Sequence, residues 1–417
     1  MENGKYKILM LSDHALSTSG VGTQSRHLIN GLIEKGKWSF RQLGAAMKHE
    51  NYDVVTVNPD FVIKPIDGFG NKELMRILLA TEQPDAVFIF TDPRFFYWLF
   101  EMEDEIHQVC PIVYWHVWDN APYPAYNDPF YEATDAIACH SYHTYEQVSQ
   151  KHPEKTVFIP HALPNEIFFE LPEDKKDEMK QNLLGESKKD WFTGFWMNRN
   201  ARRKRPGDLL MSWKLFLDKL QEKEGHKKAC LIMHTDPKDQ EGPDLFEIVN
   251  MLDIKENVIF STQRVGFEHI MTLHNIADFT INISYAEGFG LSTLEAMQCG
   301  TPIIAPKTGG QTRQVVDHRD NSENGFALPI ELKTLVGSQS VPYIYEDYTS
   351  CETISEKIFQ MHQLGKEGRK ELSKKVKKYV ASEFSYQETV DKFDKLIEET
   401  IKNWKSKYTR YEMLEIK

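Results

Sequence analysis

The stretch that most constrains this chain runs from Ser284 to Gly310, SYAEGFGLSTLEAMQCGTPIIAPKTGG. An apolar run from Asp278 to Ile283 leads into it, long enough for a buried strand. A glycine-rich turn follows, Glu287-Gly288-Phe289-Gly290, and then Leu291 to Gln298, whose Leu291, Leu294, Ala296 and Met297 share one helical face. Cys299-Gly300-Thr301-Pro302 ends that helix, and Ile303-Ile304-Ala305 opens the next strand. The pattern predicts a parallel βαβ unit. Its helix start presents unpaired N–H groups to whatever sits over the turn. Gly288 and Gly290 have no side chain to block a ligand, so the turn is a cradle for an anion such as a diphosphate. Glu287 and Glu295 flank it with seven residues between them. Two carboxylates are poor phosphate ligands but good acceptors for hydroxyls, and a nucleotide sugar has hydroxyls on both sugar and ribose.

The pair Glu287-x7-Glu295 encloses GFG and is followed by EAM, a CGTP turn and a GG pair. Together these resemble the donor-site signature of retaining glycosyltransferases of the GT-B fold, most closely family 4 (glycosyl transferases group 1). The resemblance implies an α/β fold with two Rossmann-like parallel-sheet domains facing across a cleft, and a C-terminal helix that returns to the first domain. It implies an N-terminal acceptor domain over residues 1–165 with about 386–417 added, and a nucleotide-sugar domain over 166–385. It also implies donor contacts from the turn residues Gly288, Phe289, Gly290, Leu291, Ser292 and Thr293, with Glu287 on the sugar and Glu295 on the ribose.

Two domains also suit a chain of 417 residues. A hydrophobic content of 41% supplies real cores, and no stretch reaches the apolar length of a membrane span. The N-terminus, MENGKYKILML, lacks a secretory pattern. Five scattered cysteines without CxxC spacing read as reduced and free of structural zinc. These features predict a cytoplasmic protein. The net charge of −12 argues against a general nucleic-acid binder.

Tyr6 to Leu11 reads as a first buried strand, followed by a polar loop from Ser12 to Thr23 and a helix from about Gln24 to Lys35. Gly20 and Gly22 close that loop before the helix and form a second candidate cradle. A dinucleotide fingerprint is the rival reading, but Ser25 stands where its third glycine would be. The resemblance places this loop over the donor diphosphate and sugar. Strand-like runs at Val54–Val57, Ala86–Phe90, Ile112–His116 and Ala136–His140 alternate with helical segments and predict a parallel sheet. His116 falls at a C-terminal strand end, where ligands gather in such sheets. The resemblance puts a histidine here near the donor sugar and makes His116 a candidate catalytic residue; a buried structural histidine is the alternative. The aromatic cluster Tyr114, Trp115, Trp118, Tyr123, Tyr126, Phe130 and Tyr131 reads equally well as an acceptor cleft or as loop packing.

After Trp191–Met197, the run RNARRKR from Arg199 to Arg205 carries five cations in seven residues before a helix beginning near Pro206. Arg199 and Lys204 match the family's cation pair and would neutralise a diphosphate, the arginine by a fork and the lysine as a point charge. Arg202, Arg203 and Arg205 are extra and read as a solvated loop or as contacts to an acceptor phosphate. The resemblance implies that the loop with Arg264 and Val265 holds the nucleotide base, and Gly309, Gly310 and Gln311 resemble the family's glycine pair. The amphipathic segments beyond Gly325 carry basic runs at Lys366–Lys378 and Lys402–Arg410. These read as solvated helix faces, with a peripheral membrane contact as the second reading.

No Asp-x-Asp pair occurs, so the expected enzyme needs neither metal nor other cofactor, its cations and helix dipole stabilising the leaving diphosphate instead. The expected function is retaining transfer of a hexosyl or pentosyl group from a nucleotide-diphosphate sugar to an unidentified acceptor: a glycan, a lipid or a small glycoside. Transfer to a nucleic-acid base and a catalytically inactive binding scaffold are the alternatives.

Overall fold

The computed structural model describes residues 4–46 and 52–407. It divides into two units, one of Met1–His161, Ser338–Pro342 and Tyr386–Lys417, the other of Ala162–Gly337 and Tyr343–Ser385. The expected break at 165 and the observed one at 161 differ by four residues, and the chain from 386 belongs with the first unit.

The first unit is built on an eight-stranded sheet. Its strands are β1 (Tyr6–Asp13), β2 (Trp38–Ala45), β3 (Val55–Asn58), β4 (Phe61–Pro65), β5 (Ala86–Thr91), β6 (Ile112–His116), β7 (Ala136–Cys139) and β8 (Thr156–Phe158). Their order is β3-β4-β2-β1-β5-β6-β7-β8, and every pairing but β3–β4 is parallel. Parallel strands are covered on both faces and so read as continuous apolar runs. In β1, Ile8 and Met10 enter one core while Leu9 and Leu11 enter the other. The helix Tyr386–Lys407 covers the first of these faces with Val390, Phe393, Ile397 and Ile401.

The second unit has a wholly parallel six-stranded sheet of β9 (Phe192–Met197), β10 (Ala229–His234), β11 (Val258–Ser261), β12 (Phe279–Ile281), β13 (Ile303–Pro306) and β14 (Gly325–Leu328), in the order β11-β10-β9-β12-β13-β14. Cys230 and Ile232 of β10 face one core, and Leu231 and Met233 the other. The order reverses between β9 and β12. At such a switch point the loops leaving the strand ends diverge and open a crevice. The sequence did not reveal an antiparallel hairpin, β15 (Leu332–Val336) with β16 (Ile344–Tyr348).

No helix among the described residues is long and apolar enough to cross a membrane. Of the basic runs, Lys377 pairs with Glu170, Lys402 with Glu398 and Lys405 with Asp85. Residues 408–410 lie outside the described residues.

Candidate active site

The crevice between β9 and β12 carries the sequence signature. After β12 the chain turns through Asn282 to Gly290 into the helix Leu291–Gln298. Gly290 takes the left-handed conformation at the N-cap, with φ of 89°. It has no side chain to cap the helix, so the first-turn amides are left for a ligand. The turn is braced from behind. Gly310 N–H donates to Glu287 O at 2.9 Å, and Gln314 Nε2 donates to Phe289 O at 2.7 Å. These bonds occupy the carbonyls of Glu287 and Phe289. Gly310 must be glycine, because a Cβ there would lie 2.2 Å from Gly288 O. Phe289 is buried in the core, where it packs edge-on to Phe384. Leu291 is half-buried, and Ser292 and Thr293 are buried; Thr293 Oγ1 donates to Gly290 O at 2.7 Å.

Lys204 reaches the crevice from the loop after β9. Its Nζ donates to Glu287 Oε2, and both side chains are largely buried. Asn282 Nδ2 donates to the same oxygen at 3.3 Å, and Arg203 Nη1 lies 3.9 Å from it. Burial alone would raise the Glu287 carboxyl. The charges of Lys204 and Arg203, with hydrogen bonds from Lys204 and Asn282, outweigh burial and hold it at about 2. Glu287 is therefore a carboxylate at neutral pH, able to accept hydrogen bonds but not to donate a proton.

Glu295 sits on the first turns of the helix and is buried. Its Oε2 lies 3.4 Å from Nε2 of the buried His274, whose Nδ1 is 3.2 Å from Thr280 Oγ1. Arg264 is exposed and Val265 half-buried, in the loop before the helix Phe267–Ile276.

Arg199 departs from expectation. It does not join Glu287; its guanidinium forks onto Asp239, with Nε to Oδ2 at 2.7 Å and Nη2 to Oδ1 at 3.0 Å. Its side chain is 60% exposed. The rest of the basic run is also engaged internally. Arg202 pairs with Glu346 of β16 and lies over the Tyr285 ring. Arg203 Nη1 donates to Ala286 O at 3.2 Å. Arg205 is buried, pairs with Asp208 and stacks on Tyr285 and Tyr348. Arg202 and Arg203 stay exposed, as the solvated-loop reading has them, but Arg205 is buried, like Lys204, so that reading fails for Arg205.

In the first unit, the expected glycine loop is instead the start of a helix, Gly20–Glu34, with Gly20 and Gly22 in its first turn. Ser19 caps it, accepting from Gly22 N at 3.0 Å and donating to Asp13 Oδ2 at 2.6 Å. Gly22 is tightly enclosed; a Cβ would lie 2.4 Å from His14 O. His116 does end β6, but its ring is fully buried. Nδ1 is 2.8 Å from Tyr114 Oη and Nε2 is 2.8 Å from Tyr131 Oη. Both nitrogens are thus used by tyrosines, which corrects the expectation of a histidine facing a sugar. Tyr114, Trp115, Trp118, Phe130 and Tyr131 are likewise buried, so most of the aromatic cluster is packing within this unit.

Residues 180–357 match the glycosyl transferases group 1 family. This segment is similar to the domain of group 1 glycosyltransferases. It holds Lys204, Glu287 and Glu295 together with the uncapped helix. Locally similar relatives include a D-inositol 3-phosphate glycosyltransferase of Salinispora arenicola, 37% identical over 73 residues, which are 18% of this chain and 16% of that protein. Another is the N-acetyl-alpha-D-glucosaminyl L-malate synthase of Bacillus anthracis, 28% identical over 110 residues, which are 26% of this chain and 27% of that protein. The matches thus span about a quarter or less of these curated relatives. Solved structures extend the likeness in fold to nearly the whole chain. The sucrose-phosphate synthase of Thermosynechococcus elongatus aligns with a TM-score of 0.74 at 15% identity, covering 96% of this chain and 100% of that one. Anabaena HepE in complex with UDP and glucose aligns with a TM-score of 0.70 at 14% identity, covering 94% and 100%. The fold shared with these structures is GT-B.

Sequence reading missed Asn282, Asp239 and Glu346. Asn282 had a signal, an amide side chain within the run from Asp278 to Ile283. The two acids approach the basic run only through the fold.

Proposed function

We propose that this chain is a retaining, metal-independent glycosyltransferase that moves a sugar from a nucleotide-diphosphate sugar to an acceptor hydroxyl. The observation that carries the reading is the buried Lys204–Glu287 pair beside an uncapped helix N-terminus at a sheet switch point. HepE, of the same fold, has been captured with UDP and glucose, which supports a nucleotide sugar as donor.

In this reading the diphosphate lies over Gly288–Thr293 and is neutralised by the helix start and Lys204. Glu287 orients the sugar, and Glu295 takes the ribose hydroxyls. The bond from the anomeric carbon to the diphosphate oxygen breaks, and the nucleoside diphosphate leaves with the electron pair. The acceptor oxygen bonds to the same face of that carbon, and its proton passes to the leaving phosphate. Positive charge on the leaving group substitutes for a general acid. The acceptor is a glycan, a lipid or a small glycoside. A nucleic-acid acceptor draws less support, because the basic run is paired within the chain.

The test is release of UDP, GDP or ADP from the corresponding nucleotide sugars, with and without EDTA. Release that survives EDTA supports the reading. Activity abolished by EDTA and restored by Mn²⁺ would remove metal independence, and no release from any donor would point to a binding scaffold.

A further inference from the structure

Every protein donor to Glu287 converges on one oxygen. Lys204 Nζ, Asn282 Nδ2 and Arg203 Nη1 all approach Oε2, and Ser284 Oγ lies 3.2 Å from it. Among the described residues no hydrogen bond reaches Oε1. The orientation of Asn282 is fixed from its other side. Its Oδ1 accepts from Ser284 N at 3.0 Å and from Ser284 Oγ at 2.6 Å. A flipped amide would lose both bonds and turn its oxygen toward a carboxylate. Asn282 is 1% exposed, so a ligand touches it little or not at all.

We infer that Asn282 is a positioning residue that clamps Oε2 of Glu287 and reserves Oε1 for a single hydroxyl of the donor sugar. The second half of this inference rests on the transferase reading above. A carboxylate held by one oxygen turns about its own axis unless a second donor fixes it. Lys204, a point charge on a flexible stem, fixes distance but not direction. The amide, itself held by the backbone at Ser284, supplies the direction. A site with one directed acceptor selects donors that carry a hydroxyl there and discriminates against deoxy or O-methyl analogues.

The test has two arms. In the first, Glu287 is followed by carbon-detected NMR of ¹³C-glutamate-labelled full-length protein, with Glu287→Gln assigning the signal. Relative to wild type, Asn282→Ala and the isosteric Asn282→Asp should both begin to titrate at higher pH; curves that coincide with wild type overturn the clamp. In the second arm, hydrolysis of UDP-glucose is measured for Asn282→Ala, Glu287→Ala and the double variant. Asn282→Ala should lower kcat about ten-fold with KM within about two-fold, and should have no further effect once Glu287 is alanine. An Asn282 effect that persists in the Glu287→Ala background marks a merely structural role and overturns the inference. If wild-type protein does not hydrolyse UDP-glucose, the transferase reading with that donor fails, while the titration still decides the clamp.

Discussion

Lys204 and Glu287, 83 positions apart in sequence, form a buried ion pair where the loops after β9 and β12 meet. Removing one partner leaves the other charged in a poor solvent. Lys204→Met should therefore lower unfolding free energy by on the order of 3 kcal/mol. Glu287→Gln should cost less, because the amide still accepts a hydrogen bond from Lys204. Urea denaturation of the two variants at pH 7 checks the order.

The same pair makes stability depend on pH. The Glu287 carboxyl is held at about 2 in the folded state, against an ordinary value of 4.5. A depressed carboxyl contributes stability that is fully present above the unfolded value and is lost as pH falls through the folded one. The contribution should be flat above about pH 5 and decline between about 4.5 and 2, by at most about 3 kcal/mol. Comparing wild type with Glu287→Gln by urea denaturation from pH 7 to pH 3 isolates it: the gap between them should narrow as pH falls.

How far the sequence foretold this site depends on the residue. The turn Glu287–Gly290 and its helix were legible because local rules fix them: an apolar run, glycines, then helical periodicity. Lys204 was legible by its spacing in the motif. Arg199 shared that spacing, yet Asp239, 40 residues further on, takes its guanidinium. No local pattern encodes that capture. His116 was correctly placed at a strand end, but the direction of its ring depends on Tyr131, which only packing brings near. The hairpin of β15 and β16 carries exposed Leu332 and Leu335 rather than a buried apolar run, so its Glu346 could not be assigned to Arg202 beforehand.

For Arg199 the structure sets a modest expectation. Its own side chain is 60% exposed while that of Asp239 is 17% exposed, so Arg199→Ala should change stability by about 1 kcal/mol. It should also weaken nucleotide binding less than Lys204→Ala does. Calorimetric titration of UDP into both variants ranks them.

His116 should behave as a core residue. Burial pushes its imidazole well below its ordinary value, and the nearby His140 adds to this. The neutral ring favours the fold, so its contribution is present above about pH 6.5 and declines as pH falls below it. His116→Ala would leave the hydroxyls of Tyr114 and Tyr131 without their shared partner, costing roughly 2–4 kcal/mol. Thermal melting should fall while the nucleotide affinity of the folded variant stays within about two-fold.

The most direct test of the donor site is thermal melting of the full-length protein against UDP, GDP, ADP, CMP and TDP, repeated for Glu295→Ala. Binding stabilises in proportion to occupancy. The account predicts that one nucleoside diphosphate raises the melting temperature of wild type and that Glu295→Ala loses most of the shift. Wild type unmoved by every nucleotide, or an equal shift in the variant, would contradict it.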